Sequence, residues 1–520
     1  MATFTLNGVP TTVGDEHASL LDALREECGV TSAKDGCAPQ GQCGCCTVLV
    51  NGKARVACVT PLRRVEGAEV RTVEGLDPSQ RQQLADAMLT TGASQCGFCT
   101  PGILVRSCAA MNAGKLSTRA EVDRQLAAHA CRCTGWQPVV EALELVASGG
   151  AVHPVEPDAA SARATLEGGT PQVINADTVC GAFAFAADRA PQDALVAVLR
   201  EDGSYAVAET LAQARVLASR VQGRNTTVPV LPPLELPQGF EVAFRTGFVE
   251  VGYLEPDGAW CEPGREPMPF ATNGGGFGAK KASSAAADAR RLADEHGRAV
   301  RVLWPREELA RHGAKRPPVA IGLNPDGSGI LRVARTPGSS LDGLEDLVAR
   351  LAPGVELEQV EVPGPPVSML VRGAVAVELL AAQAALAAQG STCEVAVPGA
   401  GSATVAVAPS EPGERVQVLV DAGDPICTTT LRSYVIGAVH QGLGLARYEG
   451  VAVDSAGRVL DLTFRSLGQL PASALPEVQV EVVGSGEPVP VSVAVMAATL
   501  AATWIGDGRP ADLPSRRTAS

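Results

Sequence analysis

The sequence predicts an α+β protein made of several domains. Its 520 residues exceed one ordinary hydrophobic core, so we expect about two to four domains. Strand and hairpin patterns open the chain, helical patterns follow from residue 77, and the remainder is mixed. Hydrophobic residues make up 46% of the chain but aromatic residues only 3%, so aliphatic side chains must form most of the packing.

Composition and charge exclude several classes of function. The net charge is −14 and no basic stripe is present, which argues against nucleic acid as a partner. The N-terminus has no basic segment followed by an apolar run, so no secretion signal is expected. The most apolar stretch, residues 374–388, is interrupted by Glu378 and Gln383 and is too polar to cross a membrane. We therefore expect a cytoplasmic protein without membrane contact.

The cysteines are concentrated at one end of the chain. Of 15 cysteines, those before residue 134 form tight CxxC and CxC clusters. Because no secretion signal accompanies them, these clusters indicate metal ligands rather than disulfides.

Residues 1–76 are predicted to form a small sheet with one helix. Asn7-Gly8 and Asn51-Gly52 are hairpin signals, and Ser19 can cap a helix that ends near Glu27. Between the helix and the second hairpin lies the Gly-rich loop DGCAPQGQCGCC.

Four cysteines of this region have the arrangement of a plant-type [2Fe–2S] ferredoxin, which has a β-grasp fold. Three lie on the loop and the fourth follows the second hairpin: Cys37, Cys43, Cys46 and Cys58. The first gap holds five residues where the plant-type spacing has four, and Cys45 is an additional thiol that could compete as a ligand. A tetrahedral zinc site is the alternative, although zinc sites usually combine two CxxC-like pairs.

Residues 77–150 are predicted to form a helical domain of four helices that carries a second set of thiols. The motif QCGFCTPG provides Cys96 and Cys99, and the motif CRCTGW provides Cys131 and Cys133. Four thiols at helix ends, next to a ferredoxin-like domain, indicate a second iron–sulfur cluster.

These two motifs resemble the xanthine dehydrogenase and aldehyde oxidase family of molybdenum hydroxylases. The resemblance implies that the helical [2Fe–2S] cluster lies next to a molybdopterin-type molybdenum cofactor and that the ferredoxin-like cluster lies nearer the surface. It also implies that Gln95 and Cys133 contact the pterin. The family commonly has Asn-Leu where this chain has His129-Ala130, and we expect His129 to cap a helix rather than to bind metal.

The rest of the chain resembles the molybdopterin-binding domain of that family in separate segments. A polar linker is predicted at 151–172, followed by the first part of the domain at 173–337. Its NGGGFGAK motif contains Gly275, Gly276, Phe277 and Gly278. Glycines of this kind can direct backbone N–H groups at an anion, and the resemblance places the Phe277 amide at the apical ligand of molybdenum.

The C-terminal segment carries the predicted catalytic residue. Residues 338–414 form a compressed middle region, and 415–520 resemble the C-terminal part of the family domain. There, Gly484-Ser-Gly-Glu487-Pro resembles the GxGEP motif whose glutamate is the catalytic base. A partly desolvated glutamate with a raised pKa would suit that role. Without the resemblance, Glu487 would be interpreted as a turn residue.

The chain also departs from the family. No counterpart of a second Gly/Gln-rich cofactor loop is present in the middle region, and Arg372-Gly373 is at most a remnant of a substrate-side element. Lys281 stands where xanthine-oxidising members carry glutamate, which argues against purines, and Tyr434 stands where the family usually has glutamine.

Two functions follow from the sequence. The first is a molybdenum hydroxylase that oxidises an aldehyde or N-heterocycle. Because no flavin domain is recognisable, its electrons would leave through the two clusters to an external flavoprotein subunit or ferredoxin. The second is a non-catalytic electron-transfer subunit that docks a separate molybdenum-carrying partner.

Overall fold

The computed structural model describes residues 1–168, 173–182, 185–219, 228–269, 275–410 and 413–517. Within these ranges the chain forms four sheets with helices packed between and around them, and this confirms the predicted α+β class. Two large hydrophobic cores hold the molecule together. One lies under the cysteine-rich domains and the adjoining lobe, and the other under the C-terminal helices.

The N-terminal domain is a five-stranded mixed sheet with one helical segment. Its elements are β1 (Ala2–Leu6), β2 (Val9–Val13), α1 (Leu20–Asp22), β3 (Thr47–Val50), β4 (Lys53–Val56) and β5 (Glu69–Arg71). The strand order is β2-β1-β5-β3-β4, with β1 and β5 parallel. Asn7 and Asn51 have positive φ at the hairpin turns, and the Ser19 hydroxyl accepts a hydrogen bond from the Asp22 amide at the helix start.

Four helices follow, as the sequence predicts. They are α2 (Pro78–Thr91), α3 (Thr100–Asn112), α4 (Arg119–Leu126) and α5 (Gln137–Ser148). Asp77 caps α2 and Thr118 caps α4, in each case by accepting backbone N–H groups of the first turn. Helix α3 begins directly after Cys99, and α5 begins shortly after Cys133, so both helix starts face the cysteine cluster.

The segment predicted as a linker contains a packed helix, α6 (Pro157–Leu166). Ala160 and Ala164 are fully buried, and so is Arg163. The prediction from composition alone failed here because an Ala- and Pro-rich sequence describes a mobile linker and a small buried helix equally well. Residues 169–172 of the predicted linker lie outside the described residues.

The next lobe contains two five-stranded sheets. Its elements up to residue 361 are α7 (Ala176–Val179), β6 (Leu195–Leu199), β7 (Tyr205–Ala208), α8 (Leu211–Leu217), β8 (Val242–Thr246), β9 (Gly258–Cys261), β10 (Met268–Pro269), α9 (Ala285–His296), β11 (Val300–Leu303), α10 (Arg306–His312), β12 (Val319–Leu323), β13 (Gly329–Arg335), α11 (Leu344–Leu351) and β14 (Val355–Glu361). One sheet has the order β10-β9-β11-β6-β7 and packs against the N-terminal domain.

The C-terminal part completes the second of these sheets and adds a four-stranded one. Its elements are α12 (Ala376–Ala387), β15 (Thr392–Ala396), β16 (Ser402–Ser410), β17 (Gly413–Asp421), α13 (Thr428–Arg447), β18 (Glu477–Val483), α14 (Ser492–Gly506) and β19 (Asp512–Leu513). The sheet orders are β14-β13-β12-β8-β19 and β15-β16-β17-β18.

These sheets cross the segment boundaries expected from the sequence. Strand β14 pairs with β13 across residue 337, and β16 pairs with β17 across residue 414. The compressed middle region is therefore not a separate unit, because its strands complete the sheets on either side.

Helix α13 fixes the C-terminal part against the helical cluster domain. A Cβ at Gly437 would overlap the carbonyl oxygen of Cys133, and a Cβ at Gly135 would overlap that of Ile436. The two backbones therefore touch, and glycine is required at both positions for this approach.

Candidate iron–sulfur and cofactor site

Three cysteines of the first set lie on a loop whose backbone conformation requires small residues. Ala38, Gly41 and Gly44 have positive φ, so the chain folds back repeatedly between Cys37 and Cys46. A Cβ at Gly36 would lie 3.0 Å from the Cys43 sulfur. The loop thereby places all of its thiols in the protein interior.

The four cysteine thiols of this loop and of the turn after the second hairpin contact one another in succession. Cys37, Cys43, Cys46 and Cys58 are all buried. The Cys37 thiol contacts those of Cys43 and Cys58, and the Cys58 thiol also contacts that of Cys46. These hydrogen bonds from Cys43 and Cys58, with further ones from the Gln40 and Gln42 amides at 3.2 and 3.4 Å, hold the pKa of Cys37 well below its usual value. Cys37 is therefore the thiol of this set most readily ionised, while the same contacts raise the pKa values of Cys43 and Cys58.

The additional thiol, Cys45, has a different environment. It is buried, and its sulfur lies 3.7 Å from the carbonyl oxygen of Cys43, to which its S–H can donate. Burial raises the pKa of Cys45, and contact with Cys37 raises that of the predicted ligand Cys43, so the pKa direction does not separate the two thiols.

The second set joins two motifs that are far apart in sequence. The Cys133 sulfur lies 3.5 Å from that of Cys96, and the Cys131 thiol contacts that of Cys99. The Thr134 hydroxyl lies 3.1 Å from the Cys131 sulfur, and this hydrogen bond, with the contact to Cys99, lowers the pKa of Cys131 to about 6.

The spacing of the sulfurs distinguishes iron–sulfur clusters from zinc. Tetrahedral zinc with bonds of about 2.3 Å would hold all four sulfurs about 3.8 Å apart. Among the residues that the structure describes, no three cysteine sulfurs lie within 4.8 Å of one another. The helical set forms two sulfur pairs, one for each iron of a [2Fe–2S] cluster, whereas the contacts of the first set run in a chain from Cys43 through Cys37 and Cys58 to Cys46. The residues that would hold the clusters are Cys37, Cys43, Cys46 and Cys58, and Cys96, Cys99, Cys131 and Cys133.

The two sets are connected directly. The Ala130 amide, next to Cys131, donates a 2.9 Å hydrogen bond to the carbonyl of Cys43. A Cβ at Gly102 in α3 would overlap the Gly44 carbonyl. The buried His129 ring lies over Gly44, with its Nε2 3.3 Å from the Gly102 carbonyl and 3.3 Å from the Thr47 hydroxyl.

Most of the residues predicted to contact the pterin converge beside the helical set. Gln95 Nε2 donates to the carbonyl of Cys133 at 3.1 Å and to the Ser433 hydroxyl at 2.9 Å. A Cβ at Gly275 would lie 3.5 Å from the Cys133 sulfur, so this glycine packs against the ligands. Phe277, with φ 45°, follows two residues later. Gly276 and Gly278 flank Phe277, and a Cβ at Gly278 would overlap the Leu370 carbonyl.

Two further polar residues reach the same place, and one of them was missed by the sequence reasoning. The Arg372 guanidinium lies 4.4 Å from the centre of the Phe277 ring. The backbone amide of Arg372 donates to the Phe277 carbonyl at 2.7 Å. Gln441 Nε2 is buried without a hydrogen-bond partner in the described chain. Gln441 belongs to the HQGLG stretch of α13, and only its position inside a helix that touches Cys133 reveals its role.

These residues surround a cavity too small for a pterin. Phe277, Arg372 and Gln441 line it together with Arg132 and Arg316, and its volume is about 20 Å³. This is room for about one water molecule. Arg132 and Arg316 are already paired with Glu449 and Glu378.

Side chains of the chain itself occupy the surroundings of this cavity. Buried Tyr434 packs with Ala160 and Ala164 of α6. The Glu167 carboxylate accepts hydrogen bonds from the Val491 amide and from the Ser492 amide and hydroxyl, at 2.6 to 3.2 Å, and so caps α14. The donor groups for an anionic cofactor are present, and a second cavity of about 230 Å³ adjoins them, lined by Glu167, Arg372 and Ser492.

The predicted base, Glu487, lies apart from these residues. Its side chain is exposed on the turn that follows β18, and it does not line the cavity. The carbonyl of its neighbour Gly486 accepts a hydrogen bond from Asp424 at 3.1 Å, which holds the turn at the surface. The desolvation expected for a catalytic glutamate is therefore not found.

Comparison with known proteins agrees with the cysteine sites. A family described as "[2Fe-2S] binding domain" matches residues 72–144. An aldehyde oxidoreductase from Megalodesulfovibrio gigas is 40% identical over 144 residues, which are 27% of this chain but only 16% of that protein. The nicotine 6-hydroxylase small subunit of Paenarthrobacter nicotinovorans is 39% identical over 139 residues. The match spans 26% of this chain and 84% of that subunit.

A third relative and the solved structures extend the comparison. The xanthine dehydrogenase iron-sulfur-binding subunit of Escherichia coli O157:H7 is 39% identical over 142 residues, 27% of this chain and 89% of that subunit. The aldehyde oxidoreductase structure from Desulfovibrio gigas superposes with a TM-score of 0.71 at 14% identity, covering 99% of both chains, and so shares the fold.

These sites and relatives define an iron–sulfur oxidoreductase. The chain belongs to the xanthine dehydrogenase and aldehyde oxidase family of molybdenum hydroxylases. In the described part of the chain, no helix has the length and apolar character needed to cross a membrane.

Proposed function

We propose that this chain carries electrons for a molybdenum hydroxylase that oxidises an aldehyde or an N-heterocycle. Electrons would enter at the cysteine set of the helical domain, continue to the ferredoxin-type set, and leave to an external flavoprotein subunit or ferredoxin. The observation that carries this proposal is the pair of buried four-cysteine sets, which are linked by the hydrogen bond from Ala130 to the Cys43 carbonyl at 2.9 Å.

The chain's own residues would support this transfer in three ways. Each bound [2Fe–2S] cluster supplies a one-electron redox centre. The Gln40 and Gln42 amides donate to the Cys37 sulfur and so stabilise the negative charge that builds up at the first set. Burial of all eight cysteines excludes water from the sulfurs. The contact of α3 with the ferredoxin loop at Gly102 keeps the path between the sets short.

The location of the molybdenum separates two forms of this function. In the first form, the chain holds its own cofactor with Gln95, Cys133, Phe277 and its flanking glycines, and Glu487 is the base. In the second, a partner subunit holds the molybdenum and this chain is the relay. The first form rests on the family resemblance and on the residues that converge beside Cys133, and the small cavity of about 20 Å³ and the exposed Glu487 do not place the second form ahead of it.

Metal analysis of the full chain tests the proposal. The chain is purified from a host that makes molybdenum cofactor, with and without candidate partner subunits, and its iron, molybdenum and pterin are measured. Four irons with less than about 0.1 molybdenum per chain, and molybdenum recovered only in a complex with a partner, support the relay. Two irons or fewer, or stoichiometric zinc, contradict the electron-carrying role itself.

One further result would establish the first form, in which the chain holds its own molybdenum cofactor. Close to one molybdenum and one pterin in the isolated chain would show a complete hydroxylase. In that case Glu487→Gln is expected to abolish turnover of aldehydes and N-heterocycles while all four irons remain, since the substitution removes the base without touching a thiol.

A further inference from the structure

The ferredoxin-type cysteine set comes nearest to the protein surface at Cys58. This residue is 6% exposed, whereas the other three predicted ligands of the set are each 1% exposed. Val59, the next residue, is 54% exposed, and a Cβ at Gly41 would lie 2.9 Å from its Cγ1 atom. Val59 is therefore an apolar point on the surface that packs directly against the loop of the first set.

The surface around Val59 is basic, although the chain as a whole is acidic. Residues 36–65 contain four cations and no Asp or Glu, whereas the whole chain has 57 acidic residues and a net charge of −14. Arg55 is three residues from Cys58 and Arg63 is five, so the chain length keeps their Cα atoms within about 11 and 18 Å of it. All four cations are exposed, and none has an ion pair or a side-chain hydrogen bond within the described part of the chain: Lys53, Arg55, Arg63 and Arg64.

A fifth cation reaches the same place from the C-terminal part. The amide of exposed Arg465 donates to Gln42 Oε1 at 2.8 Å, and its guanidinium donates to the carbonyls of Gln42 at 3.4 Å and Ala127 at 2.8 Å. These neutral acceptors leave the charge of Arg465 unbalanced, and Gln42 follows Gly41, against which Val59 packs. We call the six residues of this region the Cys58 surface: Val59, Lys53, Arg55, Arg63, Arg64 and Arg465.

Protection of a sheet edge explains only part of this charge. Strand β4 lies at the edge of the N-terminal sheet, and cations on an edge strand hinder its pairing with other chains. This accounts for the two cations of β4 but not for those of the turn after Cys58 or for Arg465. The first acidic residue beyond the segment, Glu66, accepts the Thr3 amide at 2.9 Å and so faces β1, three strands away from β4.

We infer that the Cys58 surface docks an acidic one-electron carrier protein, of the ferredoxin or flavodoxin kind. The inference rests on the proposed electron-carrying function and specifies where electrons leave and which partner takes them. One electron passes from the reduced first cluster to the oxidised centre of the carrier, and no bond forms or breaks.

The size and charge of the Cys58 surface suit such a partner. Complexes for electron transfer are brief and bury little area, below about 1,200 Å², so one exposed apolar residue within a charged rim is sufficient. Opposite charges speed the encounter and orient the two proteins, whereas a basic carrier would be repelled here.

Stopped-flow mixing of the oxidised, iron-loaded full chain with reduced flavodoxin tests the inference. Flavodoxin is an acidic carrier whose spectrum differs from that of the clusters, and transfer in this direction uses the same docked complex. Because opposite charges drive the encounter, the second-order rate constant is expected to fall at least about tenfold as NaCl rises from about 20 to about 300 mM.

Charge-reversal variants locate the docking site. At low salt, Arg55→Glu and Arg63→Glu are each expected to lower the rate constant at least about threefold, and the double variant at least about tenfold. Arg350→Glu is the matched control. Arg350 is an exposed arginine of α11 without an ion pair in the described residues, and α11 packs on the other hydrophobic core. Its reversal changes the net charge equally and is expected to alter the rate constant less than about 1.5-fold.

A basic carrier provides a readout with the opposite sign. Oxidation of the reduced chain by cytochrome c, which is basic, is expected to be faster in Arg55→Glu and Arg63→Glu than in the wild type. A variant that had merely lost its fold would be slower with both carriers, so this reversal separates docking from damage.

Reduced methyl viologen separates docking from the electron-carrying function. This small reductant is expected to reduce the clusters of the wild type and of every variant. Failure to reduce the iron-loaded wild type would contradict the proposed function and the inference with it. Reduction by methyl viologen, combined with a flavodoxin rate that is insensitive to salt, unchanged in the double variant, or lowered equally by Arg350→Glu, would overturn the docking inference alone.

Discussion

At the scale of single residues, Cys99 and Cys108 show how position alone separates a ligand from a structural thiol. Both are buried, and α3 begins directly after Cys99 and contains Cys108. Cys99 contacts Cys131, whereas the Cys108 sulfur lies 3.5 Å from the Gln80 side-chain oxygen. We therefore assign Cys99 to the cluster and Cys108 to the packing of α3.

The first prediction concerns these two cysteines. Cys99→Ser is expected to lower the iron content from four to two per chain, because one iron of the helical cluster loses a ligand. Cys108→Ser, the matched control in the same helix, is expected to retain all four. Iron analysis of both purified variants measures this. Equal iron loss in the two variants, or none in Cys99→Ser, would show that the assignment of ligands is wrong.

The second prediction concerns the buried histidine of α13. Burial lowers the pKa of His440 from 6.5 to about 4. Between these values the unfolded chain binds a proton that the folded chain does not, so the stability from this group is lost as pH falls from 6.5 towards 4. The expected loss is about 3 kcal/mol.

Unfolding of the wild type and of His440→Gln is followed from pH 7 to pH 4. The variant is expected to show a weaker dependence on pH over this range, because glutamine does not titrate and can still donate to the Leu470 carbonyl, which lies 3.0 Å from the imidazole Nε2. Identical pH profiles would mean that His440 titrates normally in the folded protein.

The cluster ligands could be predicted from the sequence, but their surroundings could not. The spacing of the motifs is local information, and it is sufficient to predict the eight cysteine ligands. The contact between Cys96 and Cys133 and the role of Gln441 depend on how distant segments pack. The exposure of Glu487 also depends on packing, since a motif specifies a turn but not whether another segment covers it.

At the scale of elements, helix α13 is positioned by a glycine. Gly437 approaches the Cys133 carbonyl so closely that a Cβ there would overlap the oxygen. We therefore predict that Gly437→Ala destabilises the protein by about 1 to 3 kcal/mol and alters the spectrum of the helical cluster, because α13 must shift away from Cys133.

Gly506→Ala is the control for this substitution. Gly506 ends α14, and nothing lies within 4 Å of a Cβ built there. Alanine at this position is expected to stabilise the helix by about 0.5 to 1 kcal/mol. Chemical denaturation measures the stability of the two variants, and absorption spectra report on their helical cluster. A neutral Gly437→Ala would indicate that α13 and the helical domain do not touch as described.

The elements themselves were predictable where local signals are strong. The Asn-Gly turns identified both hairpins, and Asp77 and Thr118 identified helix starts, because capping and positive φ are decided within a few residues. Helix α6 was missed because its burial against Tyr434 depends on a partner more than 250 residues away in the sequence.

At the scale of the whole molecule, a buried ion pair ties the helical cluster domain to the C-terminal part. Arg132, between Cys131 and Cys133, donates to both Glu449 oxygens at 2.6 Å, and neither side chain is more than 4% exposed. Burial raises the pKa of Glu449, while Arg132 opposes the shift.

We predict that Glu449→Gln destabilises the protein by about 3 to 5 kcal/mol, since it leaves the Arg132 charge buried without a partner. Glu477→Gln is the matched control, because its pair with Arg415 is exposed to solvent and is expected to contribute little to stability. Denaturant unfolding of both variants gives the comparison. Equal stabilities would contradict the claim that this pair holds the two parts together.

The measurement that tests the central claim most directly is a reductive titration of the full chain followed by electron paramagnetic resonance. Two buried four-cysteine sets predict two distinct [2Fe–2S] signals, each integrating to about one spin per chain when fully reduced. A single signal, or a protein that holds zinc in place of iron, would contradict the account of this chain as a two-cluster electron carrier.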